Sequence, residues 1–157
     1  MTIVSNPATA TTLTAGSGDS ILIATQGSEQ LVGGAGNDVL IATTGGNVVT
    51  GGGGNDTFAF LQPPTTPGQI TDFNDMSQHD RIAISVGGFG GGLTAGMDVT
   101  SIFESSADNS FSGAAEFHFD TANRTLYFSA DGTQGSAHAI VAVQAGAIIN
   151  ANEILVV

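Results

Sequence analysis

The sequence predicts an all-β protein, a parallel β-roll of short repeats capped by a small β-sandwich. Three observations predict it. The 157-residue chain holds 23 glycines, and Val, Ile, Thr and Phe dominate its apolar and semi-apolar positions, a composition for strands and tight turns. From Ala15 it divides into five consecutive nonapeptides: AGSGDSILI, ATQGSEQLV, GGAGNDVLI, ATTGGNVVT and GGGGNDTFA. Beyond them come strand and hairpin patterns of alternating polarity.

Residues 1–14 read as an N-terminal extension. MTIVSNPATATTLT has neither a basic n-region nor an apolar h-region, so it is not a Sec-type signal. In the repeat block, residues 15–59, the fourth position is always glycine (Gly18, Gly27, Gly36, Gly45, Gly54). The eighth is always a large apolar residue (Leu22, Leu31, Leu40, Val49, Phe58). Ser20, Glu29, Asp38, Asn47 and Asp56 fill the sixth, all with oxygen-bearing side chains. Six glycine-rich residues turn the chain, and the next three form a strand whose middle side chain points inward. Two units close one 18-residue coil, and stacked coils place the apolar residues in two inward ladders. Turns beginning AGSG, GGAG and GGGG alternate with ATQG and ATTG, one kind on each side of the coil.

The charge balance narrows the function. Fourteen Asp and Glu face two arginines, Arg81 and Arg124, with no lysine, for a formal charge of -12. Such a chain offers phosphates almost no cation, which excludes nucleic acid as a partner and disfavours anionic membrane surfaces. No apolar stretch is long enough for a transmembrane helix, so no membrane insertion is expected. Divalent cations are the natural complement of the spaced acids.

GGAGNDVLI and GGGGNDTFA resemble, residue for residue, the GGxGxDxUx nonapeptide of the RTX family; the other three units are degenerate copies. The resemblance implies Ca²⁺, a hard cation that takes six to eight oxygens and accepts backbone carbonyls readily. It also implies ions between turns of adjacent coils. The best implied site joins Gly34, Gly36 and Asp38 to Gly51, Gly53 and Asp56. A weaker one joins Gly16, Gly18 and Ser20 to Gly33, Ala35 and Asp38; there Ser20 replaces an aspartate and Asp19 stands one place early. Asp38 would then serve both sites, one ion on each carboxylate oxygen. Glu29 and Asn47, in turns where Thr25 and Thr43 replace glycines, mark a side expected to hold no metal.

Pro63, Pro64 and Pro67 are expected to end the repeat block. ITDFNDMSQHDRIAIS (70–85) resembles the I-x-DF…D-x-I segment after RTX repeats in serralysin-type proteases and alginate epimerase modules. There aspartates close a last calcium site, here Asp72 and Asp80, after the carbonyls of Gly52 and Gly54. GGFGGG (87–92) reads as a flexible loop without a phosphate motif or helix pattern. FHFDTANRTLYFSADG reads as a hairpin: Phe117 and Phe119 on one arm, Leu126 and Phe128 on the other, Asp120–Arg124 as the turn. HAIVAVQAG supplies another strand. Residues 60–157 form the capping sandwich, which covers the edges that a short roll leaves exposed.

Glu153-Ile154-Leu155-Val156-Val157 resembles the uncleaved type I secretion signal of RTX proteins, which implies transient contact with a type I apparatus and a secreted, extracellular or surface location. The chain has no cysteine, no HExxH and no GxSxG. His79, His118 and His138 are expected at the surface or at edges, and Tyr127 is expected to face outward. These features point to a non-catalytic, calcium-binding extracellular protein with a structural, matrix or surface role, which Met1 supports as a stand-alone chain. The alternative is a calcium-binding and secretion module of a larger protease, lipase or alginate epimerase. Self-assembly and extracellular polysaccharide are the partners this reading allows.

Overall fold

The computed structural model describes residues 2–5 (as backbone), 12–43, 45–74, 78–108, 110–113 and 116–157. It is the predicted parallel β-roll. Strands β1 (Thr2–Ser5), β3 (Ser20–Ala24), β5 (Val39–Ala42), β7 (Thr57–Phe60), β9 (Arg81–Ile84) and β14 (Ile154–Val156) form a six-stranded sheet in that order, parallel throughout. Strands β2 (Thr12–Thr14), β4 (Gln30–Ala35), β6 (Val48–Gly53) and β8 (Gly68–Ile70) stack in parallel in the second sheet. This sheet continues through β13 (His138–Val143), β12 (Thr125–Phe128), β11 (Phe117–Asp120) and β10 (Phe103–Ser106). The capping part is therefore built on the roll's own two sheets.

Side chains alternate across each strand, so the eighth-position residues of successive coils stack inward. Leu22, Leu40, Phe58 and Ile82 align in one sheet, and Leu13, Leu31, Val49 and Ile70 in the other, none more than 4% exposed. Ala24, Ala42, Phe60 and Ile84 add a second inward row. Both ladders outrun the five repeats. Of the N-terminal extension, β1 pairs with β3 and β2 with β4, so the roll begins before Ala15; residues 1 and 6–11 lie outside those described.

The prolines do not end the stack either. Pro63, Pro64 and Pro67 sit in the turn between β7 and β8, where no ladder needs their missing N–H, and β8 resumes pairing with β6. Thr66 O accepts Gly46 N–H at 3.0 Å, tying this wide turn to the coil before it.

The hairpin forms as predicted, with Phe119 opposite Leu126 and Phe117 opposite Phe128. GGFGGG is not a loose loop. Val86–Phe89 makes one helical turn, α1, because Phe89 is an anchor: it is buried and stacks edge-on against Phe128 at 5.4 Å. A side chain at Gly88 would collide with Leu61 O, so this packing requires glycine. His138 is exposed and Tyr127 half-buried, whereas His118 is wholly buried against Phe111, contrary to the surface position expected of it.

Leu40 lies mid-ladder at 1% exposure, while Leu61 is 43% exposed. Leu40→Ala is expected to cost about 2–5 kcal/mol of unfolding free energy in calcium-containing buffer, and Leu61→Ala less than about 0.5 kcal/mol. Urea titration followed by circular dichroism measures both.

Candidate metal centre

Every coil crosses from the second sheet to the first through a turn that ends at a sixth-position residue. Ser20, Asp38, Asp56 and Asp80 occupy these places in successive turns, each no more than 3% exposed. Buried polar groups require partners, and these find them one coil back. Asp38 Oδ1 accepts Ser20 N–H at 2.7 Å, Asp56 Oδ1 accepts Asp38 N–H at 2.8 Å, and Asp80 Oδ1 accepts Asp56 N–H at 2.9 Å. A second ladder, which the sequence reading missed, runs the opposite way along the fifth positions. Asp19 Oδ1 accepts Asn37 N–H, Asn37 Oδ1 accepts Asn55 N–H, and Asn55 Oδ1 accepts His79 N–H, at 2.8–2.9 Å. Asp19 is thus no misplaced ligand; it is the first rung of this ladder.

Glycine makes the approach possible. Gly34 and Gly52 have φ of 102° and 100°, and Gly36 and Gly54 have 114° and 117°, values that side chains rarely tolerate. Position one is constrained by space instead. A side chain at Gly33 would collide with both Gly51 O and Asp38 Oδ2, and one at Gly51 with Asp56 Oδ2. In the first turn, Gly16 and Gly18 meet nothing comparable among the described residues.

The structure thus brings the implied ligands to one side of the roll. Gly34 O faces Gly52, Gly36 O faces Gly54, and Gly51 O meets Asp38 Oδ2 at Gly33. Several of the implied carbonyls already accept hydrogen bonds: Gly16 O from Ala35 N–H, Gly18 O from Ser20 Oγ–H, Gly53 O from Gly36 N–H. Oδ1 of Asp38 holds the Ser20 amide, and Oδ2 is the open atom. Asp72 differs from Asp38 and Asp56, which each keep one open oxygen. Its two oxygens accept the N–H groups of Gly51 (2.9 Å) and Gly52 (2.7 Å), while both oxygens of Asp80 hold amides, those of Asp56 and Asn74.

Asp38 Oδ2, Asp56 Oδ2 and Gln78 Oε1 are buried and accept no hydrogen bond from the described residues. A buried carboxylate oxygen left so is costly unless protonated or bound to a cation. Burial pushes the Asp38 carboxyl up, partly offset by the Ser20 amide. Burial, then the carboxylates of Asp80, Asp38 and Asp72, push Asp56 up to about 6 against the pull of the Asp38 amide. Burial also raises Asp80, with Asp72 and Glu153 adding to it. Buried carboxylate oxygens beside glycine carbonyls fit Ca²⁺, which would supply positive charge to these acidic turns.

The opposite side shares the amide-capping rule, with Glu29 and Asn47 in place of a column of aspartates. Asn47 Oδ1 accepts Glu29 N–H at 2.9 Å, and Glu29 Oε2 accepts Gln26 N–H at 3.1 Å. Thr43 Oγ1 donates to Ala24 O, so a hydroxyl caps a carbonyl in the turn where a glycine is replaced.

Fold and site define a calcium-binding parallel β-roll protein. Residues 9–40 and 32–59 match the RTX calcium-binding nonapeptide repeat in four copies. The chain belongs to the RTX family, and calcium is the ion its repeats bind. The solution structure of the AlgE6R3 subunit from the Azotobacter vinelandii mannuronan C5-epimerase is similar at 30% identity over 88% of this chain and 78% of that one, with a TM-score of 0.41. Among curated proteins none matches the chain.

A raised carboxyl implies a pH dependence with a definite sign. Asp56 ionises near its ordinary value of 3.8 when unfolded but only near 6 in the folded, calcium-free chain. Its contribution to stability is therefore full below about pH 4 and is lost as pH rises through about 6. At low calcium the strand signal in circular dichroism should be stronger at pH 5 than at pH 7.5. Asp56→Asn should reduce that difference, with Asp38 and Asp80, also raised by burial, carrying the rest.

Proposed function

We propose that this chain is a non-catalytic protein that folds on calcium outside the cell and serves there as a structural, matrix or surface component. The observation that carries the proposal is the pair of buried Oδ2 atoms on Asp38 and Asp56, which accept nothing from the described residues. At the low calcium of a cell interior, the turns hold mutually repelling carboxylates on costly glycine backbone, so the chain stays loose. At millimolar calcium the same oxygens become ligands.

Two repeat sites follow. One takes Asp38 Oδ2 with carbonyls from Gly34, Gly36, Gly51 and Gly53, completed by Asp56. The weaker takes Ser20 and carbonyls of the first turn with Gly33, Ala35 and Asp38. A last site lies beyond Gly52 and Gly54, near Asp72 and Asp80. The Glu29–Asn47 side carries architecture only.

Other side chains with reactive chemistry are also taken up by the fold. His118 Nε2 lies 2.7 Å from Asp108 O, and its Nδ1 lies 3.4 Å from Glu104 Oε1. Asp120 caps its own hairpin turn through the amides of Ala122 and Asn123. No helix of the described residues is long and apolar enough to cross a membrane. The Glu153–Val157 segment, read here as a type I export signal, folds in part as β14 against β9, with Ile154 and Val156 buried. Export before folding would leave it readable.

Circular dichroism and titration calorimetry test the core of this reading. Calcium should induce the strand signal, with EDTA reversing it. Asp38→Ala should lower the number of ions bound, whereas Glu29→Ala should leave that number unchanged. The same strand signal in EDTA as in calcium, or equal ion loss in both variants, would overturn it.

Export is tested separately. Deleting Ile154–Val157 should abolish secretion by a host type I apparatus; secretion at the wild-type level would place the signal upstream.

A further inference from the structure

We propose that Gln78 is a calcium ligand, acting through Oε1 at the turn that follows the last glycine-rich repeat; the inference rests on the calcium reading above. Successive sixth-position rungs lie 18 residues apart up to Asp56, but Asp80 comes 24 residues later. Ile70, the register partner of Val49, precedes Asp80 by ten residues, whereas Val49 precedes Asp56 by seven, so the turn before Asp80 is three residues longer, and the residues at its glycine positions are not glycines. Gln78 stands two places before Asp80, where Gly54 stands before Asp56 and Gly36 before Asp38.

Its side chain reaches back one coil. Nε2 donates to Gly52 O at 2.6 Å, so the amide is held against a carbonyl of the preceding turn. Oε1, on the same amide carbon, is buried and accepts no hydrogen bond from the described residues. Asp56 Oδ2, equally without a donor, lies against Gly51, and Asp72 spans the N–H groups of Gly51 and Gly52. Three side chains from three places in the sequence thus meet one dipeptide, Asp72 at its N–H groups, Asp56 beside Gly51 and Gln78 at the Gly52 carbonyl.

A glutamine that only capped Gly52 O would bury its own carbonyl oxygen without return, an arrangement that native structures avoid. As a ligand the same atom is satisfied. An amide oxygen suits Ca²⁺ and adds no charge to a column where Asp38, Asp72 and Asp80 already push Asp56 upward. Gln78 thereby replaces a ligand that the enlarged turn has lost with its glycines.

Calorimetric titration of calcium chloride into the whole protein tests the assignment, with circular dichroism in parallel. Gln78→Leu should bind one ion fewer, or show its weakest step weakened by about tenfold or more, with the other steps unchanged. Gln78→Glu keeps an oxygen and should bind the full number, folding at equal or lower calcium. A full set of wild-type affinities in Gln78→Leu would overturn the assignment. So would a tenfold higher calcium requirement in Gln78→Glu, which also decides the matter if the leucine variant does not fold. Wild-type protein that binds no calcium would instead overturn the reading beneath it.

Discussion

The stacking of Asp38, Asp56 and Asp80, each 1% exposed, is the constraint on which the rest of the roll depends. One oxygen of each is committed to the amide of the previous coil, which fixes where that coil must lie. In Asp38 and Asp56 the other oxygen is pressed into a space that only glycine leaves open. The arrangement satisfies the backbone and leaves the side chain electrostatically unsatisfied. Hydrophobic closure of the two ladders therefore competes with carboxylate repulsion at the turns, and a divalent cation reverses the sign of that second term.

Two opposed hydrogen-bond ladders make the stack stiff in register. The sixth-position ladder reaches backward, and the fifth-position ladder of Asp19, Asn37 and Asn55 reaches forward. A slip of one coil by one residue would break both at once and turn the inward leucines outward. The two jobs are divided between neighbouring side chains: the fifth-position rungs Asp19, Asn37 and Asn55 stay exposed, while the sixth-position aspartates are buried where charge is useful.

Much of this was legible in the sequence because periodicity survives translation into structure. Gly at position four and an apolar residue at position eight located the glycine turns and the main inward ladders from Ala15 to Ala59, and alternation around Phe117–Phe128 located the hairpin. The misses share a cause, since each depends on a partner distant in the chain. Thr2–Ser5 precedes the matched repeats and Thr12–Thr14 ends a unit without the fourth-position glycine; both become strands by pairing with β3 and β4. The 24-residue interval to Asp80 hid the continuation of the aspartate column past the prolines. Phe89 turns GGFGGG into a helical turn by finding Phe128, and His118 is buried because Phe111 and Glu104 fold over it. Within the site, the glycines and aspartates were readable as types. Which oxygen of Asp38 was already taken was not, because a backbone amide leaves no mark in the sequence.

The coil itself has a consequence for growth. Each 18-residue pair of repeats adds one strand to each sheet, so the roll lengthens in steps of about 4.8 Å, the spacing between neighbouring strands. Duplicating such a pair inserts a rung that already matches the rungs above and below it, and removing one lets the neighbours meet in register. The molecule is a ruler with a fixed graduation, and its overall reach can change by whole divisions without redesign of either end.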